Sequence, residues 1–475
     1  MNARLEGTPR STLAPRVGLT NARGTSMMTS WEKARRFIRS PLALTATDDR
    51  AEDRSSSSAC WAAIAHRRVA ISRFATALLA FACCLAIGGT AEAAPIGWAV
   101  VDDMGVASTT GGGDGSVVVA RTADELADHA GREEPLTILI EGALTGSGKL
   151  RVASNKTLLG VGASASITGV ELSLNDVSNV IIRNLTMTGA RDAIALRGSH
   201  HVWVDHCDLS ACDDGLLDIT HRSDYVTVSW TRFSDHHKTM LINSGTSQPE
   251  DAGTLNTTIH HCWFDGSNTR NPRVGYGQVH IFNSLYNGNG YGIGLHSQAR
   301  VLAERNHFDG VKDPVKQMYR EDPASPHHGF CEGIDNIFHD CTGQQAIEGI
   351  SFPVDDYYRY DFALDEAGDV ATAVREGAGP GASFGTLGPL PVPGDGALGV
   401  SVQPSLRWTR GREGVTYRVA FGEANPPGSA VETDGQTFDP GTLQPGAVYY
   451  WRVDQVTGDG SVAGDVWRFQ TQPNE

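Results

Sequence analysis

Four ionisable residues recur at nearly equal distances behind a repeated apolar motif. Asp192 lies 10 residues after Ile182, Asp214 lies 10 after Val204, Lys238 lies 10 after Val228, and Arg270 lies 11 after Ile259. A fifth, Asp218, follows Asp214 by four residues. If the motifs stack, equal offsets bring these side chains to one wall, about 4.8 Å apart per step. That wall carries three carboxylates at one end and two cations further along. Three converging carboxylates suit a hard cation with oxygen ligands, Ca²⁺ above all. A solvated face with scattered charge is the bland alternative, and four matched offsets weigh against it.

The elements that must position these residues are six short segments, VIIRNLTM (180–187), VWVDHCDL (202–209), VTVSWTRF (226–233), TTIHHCWF (257–264), VHIFNSLY (279–286) and VLAERNHF (301–308). Each has two apolar positions with one residue between them and an apolar or aromatic residue five places on. Their third residues, Ile182, Val204, Val228, Ile259, Ile281 and Ala303, are spaced 22, 24, 31, 22 and 22 residues apart. A period in the low twenties with short strands predicts a parallel β-helix, each coil stacking on the one before. The Leu-x-x-Leu-x-Leu frame of leucine-rich repeats is absent. Asn184, His206 and Asn283 fall at equivalent repeat positions and are expected to form ladders along the axis. The interval of 31 holds a polar excursion, residues 235–253, of the kind that builds a binding surface on one face of a solenoid.

Composition bounds the rest. The chain has 475 residues, 54 of them glycine, with 40% hydrophobic residues and a formal net charge of −16. That charge argues against binding nucleic acid through a basic surface, and no apolar run is long enough for a transmembrane helix. Arg67, Arg68 and Arg73, the apolar stretch Phe74 to Ile87 and the Ala91-Glu92-Ala93 ending form a secretory signal cleaved after Ala93. Its distance from residue 1 puts the working start downstream, at Met28 or near Val69. Residues 1–93 hold 13 Lys and Arg against 7 Asp and Glu, a net of +6, so cleavage would leave a mature chain near −22. Five cysteines would remain, Cys207, Cys212, Cys262, Cys331 and Cys341, with Cys331–Cys341 the expected disulfide. No CxxC pair with zinc spacing is present.

Residues 376–396 are dense in Gly and Pro and read as a linker. Beyond them SLRW (405–408), TYRVAFG (416–422), VYYWRVDQV (448–456) and VWRFQT (466–471) read as strands of a small β-sandwich. Its Trp408, Tyr450, Trp451 and Trp467 are expected in the core more than on a sugar-stacking platform. The fold class is therefore all-β. The expected domains are 1–93 as extension and signal, 94–382 as β-helix, 383–390 as linker and 391–475 as sandwich.

Long strings carry a family resemblance: RDAIALRGSHHVWVDHCDLS, DDGLLDI, YVTVSWTRFSDHHKTML, TRNPRVGYGQVHIFNSLY, with SNKTLLGVG, NVIIRNLTMTGARD and GWAVVDDMGVASTTGGGDG before them. Residues 95 to about 382 resemble the pectate lyases of polysaccharide lyase family 1. The resemblance implies a right-handed parallel β-helix and cleavage of polygalacturonate, a secreted acidic polysaccharide's backbone, by β-elimination. It implies Asp192, Asp214 and Asp218 as Ca²⁺ ligands, Lys238 as a grip on a substrate carboxylate, and Arg270 as the catalytic base. The related pectin lyases lack the acidic set, so its retention favours a substrate low in methyl ester. Gly275 stands where the family carries a second arginine, and Arg273 is the residue expected to bind substrate in its place. The C-terminal strands resemble fibronectin type III-like modules.

The chemistry suits these residue types. The C5 proton of a galacturonate is weakly acidic beside a charged carboxylate, and neutralising that charge stabilises the enolate-like transition state. A guanidinium, protonated up to pH 12 and beyond, is a poor base, so activity is expected at alkaline pH. His236 and His237 adjoin Lys238, and His237 is a further candidate for substrate contact. Asp205, His206 and Trp203 fit structural packing better than catalysis. A secreted monomer is expected. Two other functions share this scaffold: a glycoside hydrolase, which needs a carboxylate pair flanking the bond, and a non-catalytic pectin-binding or adhesion protein.

Overall fold

The computed structural model describes residues 94–319, 322–381, 389–409, 416–457 and 460–474. The expected signal, its cut after Ala93, Cys60, Cys83, Cys84 and positions 383–388 of the expected linker lie outside the described residues.

Three short strands make each coil, and each strand pairs in parallel with its counterpart one coil on. The register is the one the repeat spacing demands: Ile182 pairs with Val204, Val204 with Val228, Val228 with Ile259, Ile259 with Ile281 and Ile281 with Ala303. The interval of 31 therefore stays in step, with its extra residues carried by the excursion at 235–253. The fifth-place residues of the motif point inward and stack. Phe233, Phe264, Tyr286, Phe308 and Phe338 follow one another with ring centroids 5.2, 4.8, 4.3 and 5.0 Å apart. Each such pair adds about 0.5–1.5 kcal/mol beyond area burial.

The helix runs beyond the six motifs. Ala303 pairs with Gly333, and upstream Val118, Ile138, Leu158 and Ile182 continue the same row. The early coils escape the motif because Leu136–Arg151 and Lys156–Asn175 are long strands that run on through their corners, bending at the positive-φ glycines Gly142, Gly148, Gly162 and Gly169. The helix Ala123–Ala130 puts Leu126 and Ala130 into the same core and covers the first coils. Thr122 caps it by accepting from Glu125 N at 3.2 Å, while Glu125 accepts from Arg121 N at 2.8 Å.

Asn184, His206 and Asn283 sit at equivalent corners with φ of 59, 47 and 47°. The ladder along these corners is aromatic, His206 stacking on Trp230 with ring centroids 5.8 Å apart and Trp230 on His261 at 4.3 Å, while the two asparagines bond elsewhere. Asn283 bonds Asp365 N and O, and Asn184 accepts from Gly381 N. These corners thus fasten a returning segment whose helix, Val370–Gly377, packs Val370 and Val374 on Leu285.

The C-terminal strands form two sheets. Pro391–Val392, Leu406–Trp408 and Thr437–Phe438 make one, and six strands including Thr416–Gly422, Val448–Thr457 and Val466–Thr471 make the other. Trp408, Trp451 and Trp467 are buried in the shared core, which also takes in Ile181 and Trp203 of the β-helix. These indoles pack, as their alternating positions require, and no exposed platform is made of them.

All five cysteines from Cys207 onward are free thiols, so the expected Cys331–Cys341 disulfide is wrong. Cys331 lies inside the strand Phe330–Ile334 opposite Val301, whereas Cys341 follows Ile337–His339, with its Sγ near the carbonyls of Phe308 and His339. Ten residues of separation here span a corner of the coil and take the two thiols to different walls.

Candidate functional site

One sheet of the coil carries the site. Its strands are β1 (Ile194–Arg197), β2 (Leu217–Thr220), β3 (Met240–Ile242), β4 (Arg273–Gly275), β5 (Ile293–His296) and β6 (Val315–Gln317). Leu217, Ile219, Met240, Ile242, Val274, Ile293 and Leu295 face the core. The residues between them face outward in one row, Ala195, Asp218, Leu241, Arg273, Gly294 and Lys316, each paired with the next.

The residues with matched offsets lie just ahead of these strands and are brought together. Asp214 N donates to Arg191 O at 2.7 Å, Lys238 bridges in parallel to Thr269, and Met240 N donates to Arg270 O at 2.7 Å. The one-residue shift between Lys238 and Thr269 accounts for the offset of 11 at Arg270. Asp192 is buried, and its Oδ1 accepts from Gly215 N at 2.7 Å. Asp214 Oδ1 accepts from Lys238 Nζ at 2.8 Å, with Arg191 3.8 Å from its other oxygen.

Asp218 is the unusual member. Its Oδ1 is buried without a hydrogen-bond partner. Burial first, then the charge of Asp192, push its carboxyl up to about 7, with Arg270 pulling the other way. Asp214 is held below the usual carboxylate range by the Lys238 hydrogen bond and by the charges of Lys238, Arg270 and Arg191. Carboxylates this close raise one another's pKa, and a cation bound among them would relieve that repulsion. Gly215 makes this closeness possible. A Cβ there would stand 2.7 Å from Asp218 Oδ1 and 3.2 Å from Asp192 Oδ1. The Gly in DDG was the available signal, and reading the acidic residues alone passed over it.

Among the described residues no group of three or more His, Cys, Asp or Glu is gathered closely enough to hold a metal ion. The pairing of Asp214 with Lys238 bears on that directly. The ammonium occupies the carboxylate that would complete the set, while Asp192 and Asp218 still converge over Gly215.

Arg270 is half-buried and sits at φ 62°, the left-handed conformation that recurs at coil corners such as Asn184 and His206. His237 is exposed. It lines a cavity of about 490 Å³ together with Cys212, Asp213, Asp214, His236 and Lys238, and its Nδ1 is 3.0 Å from Asn268 Nδ2. Asp205, His206 and Trp203 belong to another sheet. Asp205 pairs with Arg183 and His206, each at 2.7 Å, and Trp203 donates to Ser229 Oγ at 2.9 Å. They brace the scaffold.

At position 275 a side chain would meet Asn243 and His296, which would have to move aside. A Cβ on Gly275 would lie 2.4 Å from Asn243 Nδ2 and 2.6 Å from His296 Cε1. Arg273 instead takes the outward row of Asp218, two coils on, and its Nη2 donates to Tyr319 Oη at 3.1 Å. Asn243, His296 and Tyr319 have no motif signature in the sequence, because their role depends on what fills space between coils.

The pectate lyase family model matches residues 71–323, more than half of the chain. Probable pectate lyase B of Aspergillus terreus is 40% identical over 236 residues, which is 47% of this chain and 71% of that protein. The pectate trisaccharide-lyase of Thermotoga maritima is 32% identical over 325 residues, covering 60% and 88%. Among solved structures, a pectate lyase from Bacillus sp. N165 in complex with trigalacturonate is 27% identical with a TM-score of 0.53, over 61% of this chain and 99% of the other. On the strength of that match and those relatives, the chain belongs to the pectate lyase family.

Proposed function

We propose that this chain is a secreted, calcium-dependent pectate lyase that cleaves polygalacturonate by β-elimination. The observation that carries the calcium requirement is the partnerless buried oxygen of Asp218 beside Asp192. Asp192, Asp214 and Asp218 would hold the ion. Bound there, calcium would neutralise a substrate carboxylate and so acidify the neighbouring C5 proton.

The chain's own groups do the rest. Lys238 holds the C6 carboxylate of the reacting sugar once Asp214 turns to the ion, and Arg273 holds a carboxylate two coils on. His237 borders the sugar on the Lys238 side. Arg270 removes the C5 proton. The C5–H electron pair becomes the C4–C5 double bond, the C4–O4 bond breaks, and the leaving oxygen takes a proton from water. Removal by a guanidine needs its neutral form, so turnover rises toward alkaline pH.

The domain limits fit the same reading: a signal through residue 93, the lyase body over 94–382, a linker at 383–390, and a fibronectin type III-like module over 391–475. Secretion rests on the basic, apolar and Ala-x-Ala parts of residues 67–93. Polygalacturonate incubated with calcium should yield product absorbing in the ultraviolet through its new double bond, and a chelator should stop it. New reducing ends without that absorbance would mean hydrolysis and sink the lyase reading. Binding without turnover would mark an adhesion protein.

A further inference from the structure

On the outward row of the site sheet, charge recurs at every second coil: Asp218 on β2, Arg273 on β4 and Lys316 on β6. The reaction as proposed accounts for the first two. Between Arg273 and Lys316 the row holds Gly294, and a Cβ there would come within 2.9 Å of both Met318 Sδ and Tyr291 Cε2. The thioether and the phenol ring thus fill the row beside Gly294, with Tyr291 itself buried. The result is an apolar floor with a cation at each end, two coils or roughly 10 Å apart along the axis.

Lys316 is built into this place. Its Nζ donates to Asp313 Oδ2 at 2.9 Å and lies 5.6 Å from the Tyr291 ring centroid, with the side chain 31% exposed. Asp313 is buried and fixed, its Oδ1 accepting from Gln344 N at 2.9 Å. An ammonium has three donors, and the Asp313 bond uses one. A sugar carboxylate arriving from the groove would meet a positioned, partly desolvated cation, where a charge-assisted hydrogen bond is stronger than in open water.

We infer that Lys316 is a specificity-determining residue: it reads a free carboxylate on a sugar beyond the one held by Arg273. This rests on the lyase reading and extends it. The groove then selects a run of unesterified sugars, because a methyl ester at the Lys316 position offers no charge.

The test is a comparison of KM on polygalacturonate and on highly methyl-esterified pectin, with calcium, for wild type, Lys316→Met and Lys316→Arg. For Lys316→Met, KM on polygalacturonate should rise about tenfold, the scale of one lost charge-assisted contact, with kcat within about twofold. The preference for polygalacturonate over pectin should shrink by the same factor, and Lys316→Arg should restore most of it. Equal KM values, or a rise of the same size on both substrates, would overturn the inference and leave Lys316 as the structural partner of Asp313. Calorimetry of oligogalacturonate binding reads the same contrast without turnover. A wild type that binds but releases no unsaturated product would overturn the lyase reading alone.

Discussion

The site sheet and the C-terminal sheets are both made of short strands with one face buried, and they use their other positions in opposite ways. In the site sheet the outward row carries Asp218, Arg273 and Lys316, so its exposed positions bear charge. In the C-terminal sheets the large side chains turn in. Trp408, Trp451 and Trp467 are each no more than 2% exposed and join Ile181 and Trp203 of the β-helix in one core. One region gathers charge on its outward face, and the other gains cohesion from apolar burial. Substitutions should therefore separate them: those in the first should alter rate or ion binding, and those in the second should alter stability.

The largest effect is expected at Arg270. Arg270→Lys should lower kcat about 10²–10⁴-fold, the range for loss of a positioned proton-transfer group, with the thermal midpoint unchanged. A midpoint that falls with the activity would instead make Arg270 a scaffold residue. The mirror experiment is Trp451→Ala in the C-terminal core. It should cost about 3–5 kcal/mol of stability, read by denaturant unfolding, while kcat/KM per folded molecule on polygalacturonate stays as in wild type. A changed KM in that variant would join the C-terminal sheets to substrate binding and erase the contrast.

The unequal legibility of the two regions in the sequence has the same physical root. A β-helix repeats its environment every coil, so Ile182, Val204, Val228, Ile259, Ile281 and Ala303 announce both the period and the register, and an offset from them locates a wall. That is why spacing alone puts Asp192, Asp214, Lys238 and Arg270 on neighbouring coils of one wall. Where an element breaks the period, the spacing gives no register. Leu136–Arg151 and Lys156–Asn175 run through corners, and the thiols of Cys331 and Cys341 fall on different walls of one coil. Contacts between coils leave no mark in a single repeat, so the filling of position 275 by Asn243 and His296 and the Tyr319 bond to Arg273 were invisible. In the C-terminal sheets alternation revealed strands and buried indoles, but with no repeat to count from it gave no site.

A smaller effect sharpens the comparison from the acidic side. Gly215→Ala adds one methyl group between Asp192 and Asp218, at 2.7 Å from Asp218 Oδ1. Calcium affinity, measured by calorimetry, should fall about 10–100-fold, as for altered support of metal ligands. An unchanged affinity would show that the ion does not use this pair.

The smallest effect belongs to the C-terminal region, and it runs with pH. Asp395 is buried, accepts from Arg468 N at 2.7 Å, and has its carboxyl pushed up to about 7 by that burial. In the unfolded chain the same group titrates at about 3.9. Below that pH both states hold the proton and the folded state is fully favoured. Between about 4 and 7 the unfolded chain releases it while the folded chain retains it, so stability falls as pH rises, and above 7 the loss is complete. Asp395→Asn keeps a neutral acceptor for Arg468 N and should be the more stable protein at pH 8. At pH 4 the two should nearly coincide. Unfolding midpoints for both proteins at these two pH values decide the matter: a constant gap between them would mean that Asp395 is ionised throughout, and that this region too stores charge against its surroundings as the lyase groove does.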